Sequence, residues 1–239
     1  MYLALIALPL IGAIVGGFRG RSLGVTGSQI ITTGCLMTSA VLALVAFYEV
    51  ALCRSPVSIN LGTWVDIEYL HIQWSFLFDD LTVSMLLAVL VVSSLVHLYS
   101  IDYMASDPHP QRFIALLSTF TGFMVILVTS DNLFGLFVGW EGIGVSSYLL
   151  ISFWFTRLQA NKSAVKALTV NRVGDIALSI GFLLVITSMG TLDYATMFSI
   201  APMFNETIIT LLGLLFLGGA MSKSANVPLH TWLPDAMEG

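Results

Sequence analysis

A carboxylate in the middle of an apolar run is the first residue here whose type and place point to chemistry. Glu141 stands in the stretch 132–150, roughly nine residues from its start, which at about 1.5 Å per residue is near 14 Å deep. That is close to the midplane of a hydrocarbon layer roughly 30 Å thick. An ionised carboxylate is costly there, so the residue is a candidate for taking up and releasing protons. Gly139, Gly142 and Gly144 around it remove side-chain bulk and leave room for a close helix or for water. The competing account is that the glycines serve packing and Glu141 a structural hydrogen bond.

Lys223 is the matching cation. It sits in Gly218-Gly219-Ala220-Met221-Ser222-Lys223-Ser224-Ala225-Asn226, after the strongly apolar 208–217. A lysine late in a span can snorkel to the interface. The small and polar neighbours instead resemble the lining of a hydrated cavity, and Pro228 can break the helix. Broken helices are tolerated in membranes where they are buried or line water. Arg172 and Asp175, three residues apart, share a helical face and can pair, with Asp175 again near mid-membrane. The pair is either a structural brace or a feeder of a proton path.

Other ionisable residues have simpler readings. Lys162 and Lys166 share a face at the start of the same helix, Lys162 as an end anchor. His97 titrates near neutrality and can relay protons, although a core histidine with both nitrogens satisfied explains it as well. Asp79 and Asp80 have the chemistry of a helix start. Cys35 and Cys53 have no metal-ligand spacing and read as packing residues, and His109 and His230 lie in loop-like contexts. There is no cysteine cluster, haem motif or phosphate loop, so neither metal nor cofactor is expected on this chain.

The elements that must carry these residues follow from hydropathy. The chain of 239 residues is 57% hydrophobic and 10% charged, with mean hydropathy +0.92. A soluble domain carries roughly 25% charged residues. The net charge of −5 is thinly spread, and no basic patch for nucleic acid is present. Apolar runs at 2–18, 29–52, 76–104, 113–129, 133–155, 163–189 and 207–227 predict an all-α polytopic membrane protein with about seven transmembrane helices. They are continuous and too long for barrel strands. Breakers fall between them: a glycine-rich turn at 20–27, a polar link at 54–75 and a proline-containing turn at 106–112. Alternation within 58–64 suggests a short surface hairpin, with Trp64, Tyr69 and Trp74 as interfacial aromatics.

The N-terminus lacks a basic leader and a cleavage site and reads as a retained first span, which suggests synthesis close to its membrane in a bacterium or from an organelle genome. Arg19, Arg21, Arg112, Arg157 and Lys162 occupy the first, third and fifth loops, whereas the second and fourth hold only Arg54. The positive-inside rule therefore places the N-terminus outside.

Six phrases resemble the proton-pumping antiporter-like subunits of respiratory complex I, and among them the subunit 5 branch of NADH:ubiquinone oxidoreductase. They are Phe76-Leu77-Phe78-Asp79-Asp80-Leu81-Thr82, Ser93-Ser94-Leu95-Val96-His97-Leu98-Tyr99-Ser100, Gly139-Trp140-Glu141-Gly142, Phe153-Trp154-Phe155-Thr156-Arg157, Asn171-Arg172-Val173-Gly174-Asp175 and Pro228-Leu229-His230-Thr231-Trp232-Leu233-Pro234-Asp235-Ala236. Together they cover the whole chain in the family's order. The resemblance implies part of an inverted-repeat fold, with helices 1–3 and the link near 54–75 in residues 1–105, and the first helices of a proton-channel repeat, helices 4–7, in 106–239.

It also implies that Glu141 and Lys223 form a mid-membrane pair whose association and separation gate proton movement along a hydrated axis, with Asp175 and Arg172 tuning or feeding it. The implied activity is that of a translocase subunit in the mitochondrial inner membrane, with a bacterial plasma membrane as the alternative. NADH, FMN, iron–sulfur clusters and ubiquinone would belong to partner subunits. Expected partners are other membrane-arm subunits, including a subunit 4-like neighbour, together with lipids. Family members continue past Pro-Asp-Ala-Met-Glu-Gly, so the sequence predicts the N-terminal fragment of a split subunit whose remainder is a separate chain, with truncation as the rival. Two other functions fit the same residues: a subunit of a multisubunit cation/proton antiporter, or a structural membrane-arm fragment without its own complete channel.

Overall fold

The computed structural model describes residues 1–68 and 70–239. The expected interfacial aromatic Tyr69 lies outside the described residues. The elements in order are α1 (Tyr2–Phe47, continued by a π-helical turn Tyr48–Leu52), β1 (Val57–Ile67), β2 (Leu70–Phe78), α2 (Asp80–Tyr103), α3 (Pro110–Thr129), α4 (Leu133–Ile151), α5 (Leu158–Met189), α6 (Tyr194–Ile200), α7 (Glu206–Lys223) and α8 (Trp232–Ala236). Among the described residues, 6 helical segments are long and apolar enough to cross a membrane. The first doubles back: Gly24 at φ 73° is non-helical and separates two limbs. Ser39 Oγ donates to Leu5 O at 2.7 Å and Tyr2 Oη to Glu49 Oε2 at 2.8 Å, so the limbs run antiparallel. The glycine-rich turn at 20–27 is therefore the reversal, and the seven runs correspond to seven helical limbs.

Several boundaries differ from the hydropathy runs. Phe76–Phe78 belong to β2, and α2 starts at Asp80 because the Asp79 carboxylate accepts from Thr82 N at 2.8 Å, the capping role its chemistry suggests. The fifth run stops at Ile151 instead of residue 155, and α5 begins at Leu158. The seventh run stops at Lys223 instead of residue 227. Ala225 takes φ 50° and Pro228 cannot donate to a helical ladder, so the chain turns there. The polar link forms a full two-stranded hairpin, longer than the stretch 58–64 suggested.

The chain divides into two compact units. The first comprises Met1–Ile59, Phe76–Ser130 and Leu136–Ser146. Its core joins Leu5, Leu36, Ala43, Phe78, Leu86, Leu90 and Val125. The second comprises Asn60–Ser75, Asp131–Gly135 and Ser147–Gly239. Here α5 and α7 cross antiparallel through small residues: a Cβ on Gly218 would lie 3.4 Å from Ala177 and one on Gly219 3.2 Å from Leu178, while one on Gly181 would lie 2.9 Å from Phe216. Exposed Leu, Ile and Val cover the outward faces of both units, as expected where lipid is the solvent.

Candidate functional site

In the first unit, Glu141 occupies the middle of α4 and is half-buried. Its flanking glycines press α4 onto α3. A Cβ on Gly139 would lie 2.6 Å from the Leu127 backbone, and one on Gly142 would overlap the Phe123 ring. Of the two purposes open to these glycines, close helix contact is the one realised. Glu141, about 200° around the helix from Gly139, stands off that contact face.

His97, in the same unit, is fully buried and satisfied. Its Nδ1 lies 2.8 Å from Ser93 O, which accepts only if that nitrogen carries the proton; Nε2 then accepts from Ser118 Oγ at 3.1 Å. Ser93 Oγ and Thr121 Oγ1 pair at 2.6 Å beside it. A neutral imidazole bracing α2 to α3 accounts for every one of these contacts.

The second unit brings Arg172, Asp175 and the end of α7 together. Asp175 is buried in mid-helix, whereas the Arg172 side chain is half-exposed, and Arg172 Nη1 approaches Asp175 Oδ2 at 4.0 Å. Between them Gly174 abuts Ser222, the residue before Lys223. Lys223 is the last residue of α7, where the helix dipole favours a cation. Ser222 is fully buried; its Oγ donates to Gly219 O at 2.8 Å. Trp232 Nε1 donates to Ser222 O at 3.0 Å, a carbonyl at the helix end that also accepts from Ala225 N at 3.4 Å. Trp232 packs against the buried cluster of Ile151, Ala164 and Ala167, tying the break after Lys223 to α4 and α5.

Lys166 Nζ reaches Asp235 Oδ2 at 2.5 Å, with both side chains a little under half exposed. Lys162 is exposed, in keeping with an end anchor. Cys35 packs beside Gly12, whereas Cys53 is exposed; the reading of both as packing residues holds for the first alone.

Sequence reasoning missed two features. The contacts of Trp232 and Asp235 carry no local signal, since each joins residues far apart along the chain. A polar cavity of about 340 Å³ is lined by His71, Gln73, Ser75, Asp131, Asn132 and Asp193 among others. Asn132 and Asp193 form a bridge, and Asn132 Nδ2 donates to Gln73 O at 2.8 Å. Burial and then the Asp193 charge push the Asp131 carboxyl above its ordinary range, against a hydrogen bond from Ser75. The Tyr194 phenol is pushed up by burial and by Asp131.

The family model described as "NADH:quinone oxidoreductase/Mrp antiporter, TM" matches residues 130–239. The model described as "NADH-Ubiquinone oxidoreductase (complex I), chain 5 N-terminus" matches residues 64–114. Over its whole length the chain is 68% identical to NADH-ubiquinone oxidoreductase chain 5 of Cryptococcus neoformans var. grubii, 66% identical to that of Mycosarcoma maydis and 60% identical to that of Rhizopus stolonifer. It spans 36% of the length of each. Among solved structures, a chain of the membrane-bound sulfane sulfur reductase, an archaeal respiratory membrane complex, superposes with TM-score 0.85 at 23% identity, over 99% of this chain and 47% of that one. A chain of the Mrp complex from Dietzia sp. gives 0.84 at 22%, over 100% and 25%. These two likenesses concern the fold.

Proposed function

The chain belongs to the NADH-ubiquinone oxidoreductase chain 5 family, matching its N-terminal part, and from that premise we propose that it takes part in proton translocation within the membrane arm of an NADH:ubiquinone oxidoreductase. The observation that carries this reading is a carboxylate and a cation on facing helices: Asp175 is buried in mid-span, and its neighbour Gly174 abuts Ser222 beside Lys223. Burial of ionisable groups at that depth is expensive and marks ion pathways.

In this reading Glu141 and Lys223 are the mid-membrane pair. While Glu141 is ionised it favours a protonated Lys223; separation of the two lets the ammonium pass its proton on and return as a neutral amine. Asp175 offers a second charge beside that path, and Arg172 balances it. Redox chemistry belongs to partner subunits that carry NADH, FMN, iron–sulfur clusters and ubiquinone. The fungal relatives support a mitochondrial inner membrane location, and the basic loops support an N-terminus facing the intermembrane space. A subunit 4-like neighbour in the membrane arm is the expected partner.

The test is Glu141→Gln and Lys223→Ala in the assembled complex, with proton-to-electron stoichiometry measured beside NADH oxidation. Reduced stoichiometry with normal assembly supports the relay; unchanged stoichiometry leaves a structural role. A second reading, a cation/proton antiporter subunit, draws on the Mrp antiporter description of the matching model. Co-purification separates the two, since only the first requires flavin and iron–sulfur partners.

A further inference from the structure

Lys166 has no part in the relay described so far, and its partner Asp235 lies beyond the break that ends α7. Within the second unit, α5 holds the chain on both sides of that break. On the α7 side Gly174 abuts Ser222, the residue before Lys223. On the α8 side Trp232 packs against the cluster of Ile151, Ala164 and Ala167, and Lys166 Nζ donates to Asp235 Oδ2 at 2.5 Å. Between the two the helical ladder is interrupted at the left-handed Ala225, and Trp232 Nε1 reaches back to Ser222 O. Trp232 and Asp235, three residues apart, share one face of α8, and that face is the one laid on α5.

We infer that Lys166 and Asp235 are positioning residues for the relay: their ion pair sets the register of α8 on α5 and, through the Trp232–Ser222 bond, fixes where α7 ends and Lys223 stands. The inference rests on the proton-transfer reading above. Apolar contact is non-directional and lets a short helix slide or roll on its neighbour. An ion pair joins two particular atoms, and one that is only half-buried adds little to stability, so register is what it supplies. Without the pair α8 stays seated by Trp232 but is free to shift along α5. Such a shift displaces Ser222 O and with it the backbone of the adjoining Lys223. A misplacement of about 1 Å at a reacting group costs on the order of 10²-fold in rate. A contact that hardly affects stability is thereby decisive for transfer, although neither Lys166 nor Asp235 handles the proton.

The experiment uses the assembled complex and reads the ratio of protons moved to electrons passed, which a mere loss of assembled complex does not change. Lys166→Ala and Asp235→Ala should each lower that ratio several-fold, with melting temperature little altered. The exchange Lys166→Asp with Asp235→Lys rebuilds the pair with its charges reversed and should return the ratio to near the wild-type value. A wild-type ratio in the two alanine variants, with Lys223→Ala impaired, overturns the proposal. A lowered ratio that the exchange leaves lowered also overturns it, since each residue then acts by itself. Alanine variants that fail to assemble overturn it as well, because the pair would then be holding the fold rather than its register. A wild-type ratio in Lys223→Ala would instead sink the proton-transfer reading, so the two failures are distinguishable.

Discussion

Gly174 and Ser222 meet backbone to side chain: a methyl group on residue 174 would overlap the Ser222 hydroxyl, so the crossing of α5 and α7 has no room for any larger residue there. The Ser222 hydroxyl is bonded inward to Gly219 O and fully buried, so it cannot swing aside cheaply. Gly174→Ala is expected to destabilise the crossing by about 1–3 kcal/mol through overpacking. Faster hydrogen exchange in α7 with unchanged exchange in α2 would show it.

Trp232 acts through one hydrogen bond and one apolar contact surface, and substitutions separate them. Trp232→Phe keeps a ring against Ala164 and Ala167 but removes the donor to Ser222 O. The expected loss is about 0.5–1.5 kcal/mol, whereas Trp232→Ala, which also empties the ring's site, should cost about 3–5 kcal/mol. Thermal unfolding of the two variants in detergent orders them.

The Lys166–Asp235 ion pair is short but only half-buried. Asp235→Asn should therefore shift stability by less than about 1 kcal/mol, and the shift should shrink further in high salt. Melting curves at low and high ionic strength check this; a large salt-independent loss would mean that the pair is shielded in the assembly.

Asp131 gives a pH dependence of definite sign. Its folded carboxyl binds a proton more tightly than the unfolded chain does, so the native state holds the extra proton between the two values. Stability from this group is present below the ordinary carboxylate range and falls as pH rises through the raised one. Asp131→Asn should thus protect the amides near Asp193 and Tyr194 at about pH 8 and change little at about pH 4. Hydrogen exchange at the two pH values is the measurement.

His97 should behave as a brace. Ser118→Ala removes the donor to Nε2 and should cost about 1–3 kcal/mol, with proton-to-electron stoichiometry unchanged. A stoichiometry defect in Ser118→Ala would place His97 in the relay instead.

Much of this architecture was legible in the sequence because desolvation acts along a span one residue after another. Long apolar runs settled the membrane class, and a glycine-rich stretch marked the reversal at Gly24. Pro228 likewise announced a break near Lys223. The ionisable residues in those runs were found for the same reason, since each is costly wherever its helix goes.

What only the tertiary structure decided is which groups meet. The bond from Trp232 joins residues 10 apart across a turn, and that from Lys166 joins residues 69 apart. Neither pairing has a period that hydropathy can reveal, because each depends on how α5, α7 and α8 cross. The same holds for Gly139 and Gly142, which sequence left open between water and packing; Leu127 and Phe123 fill the space they leave. For Gly174 and Ser222 too, residue types supplied the smallness and the helix crossing supplied the partner.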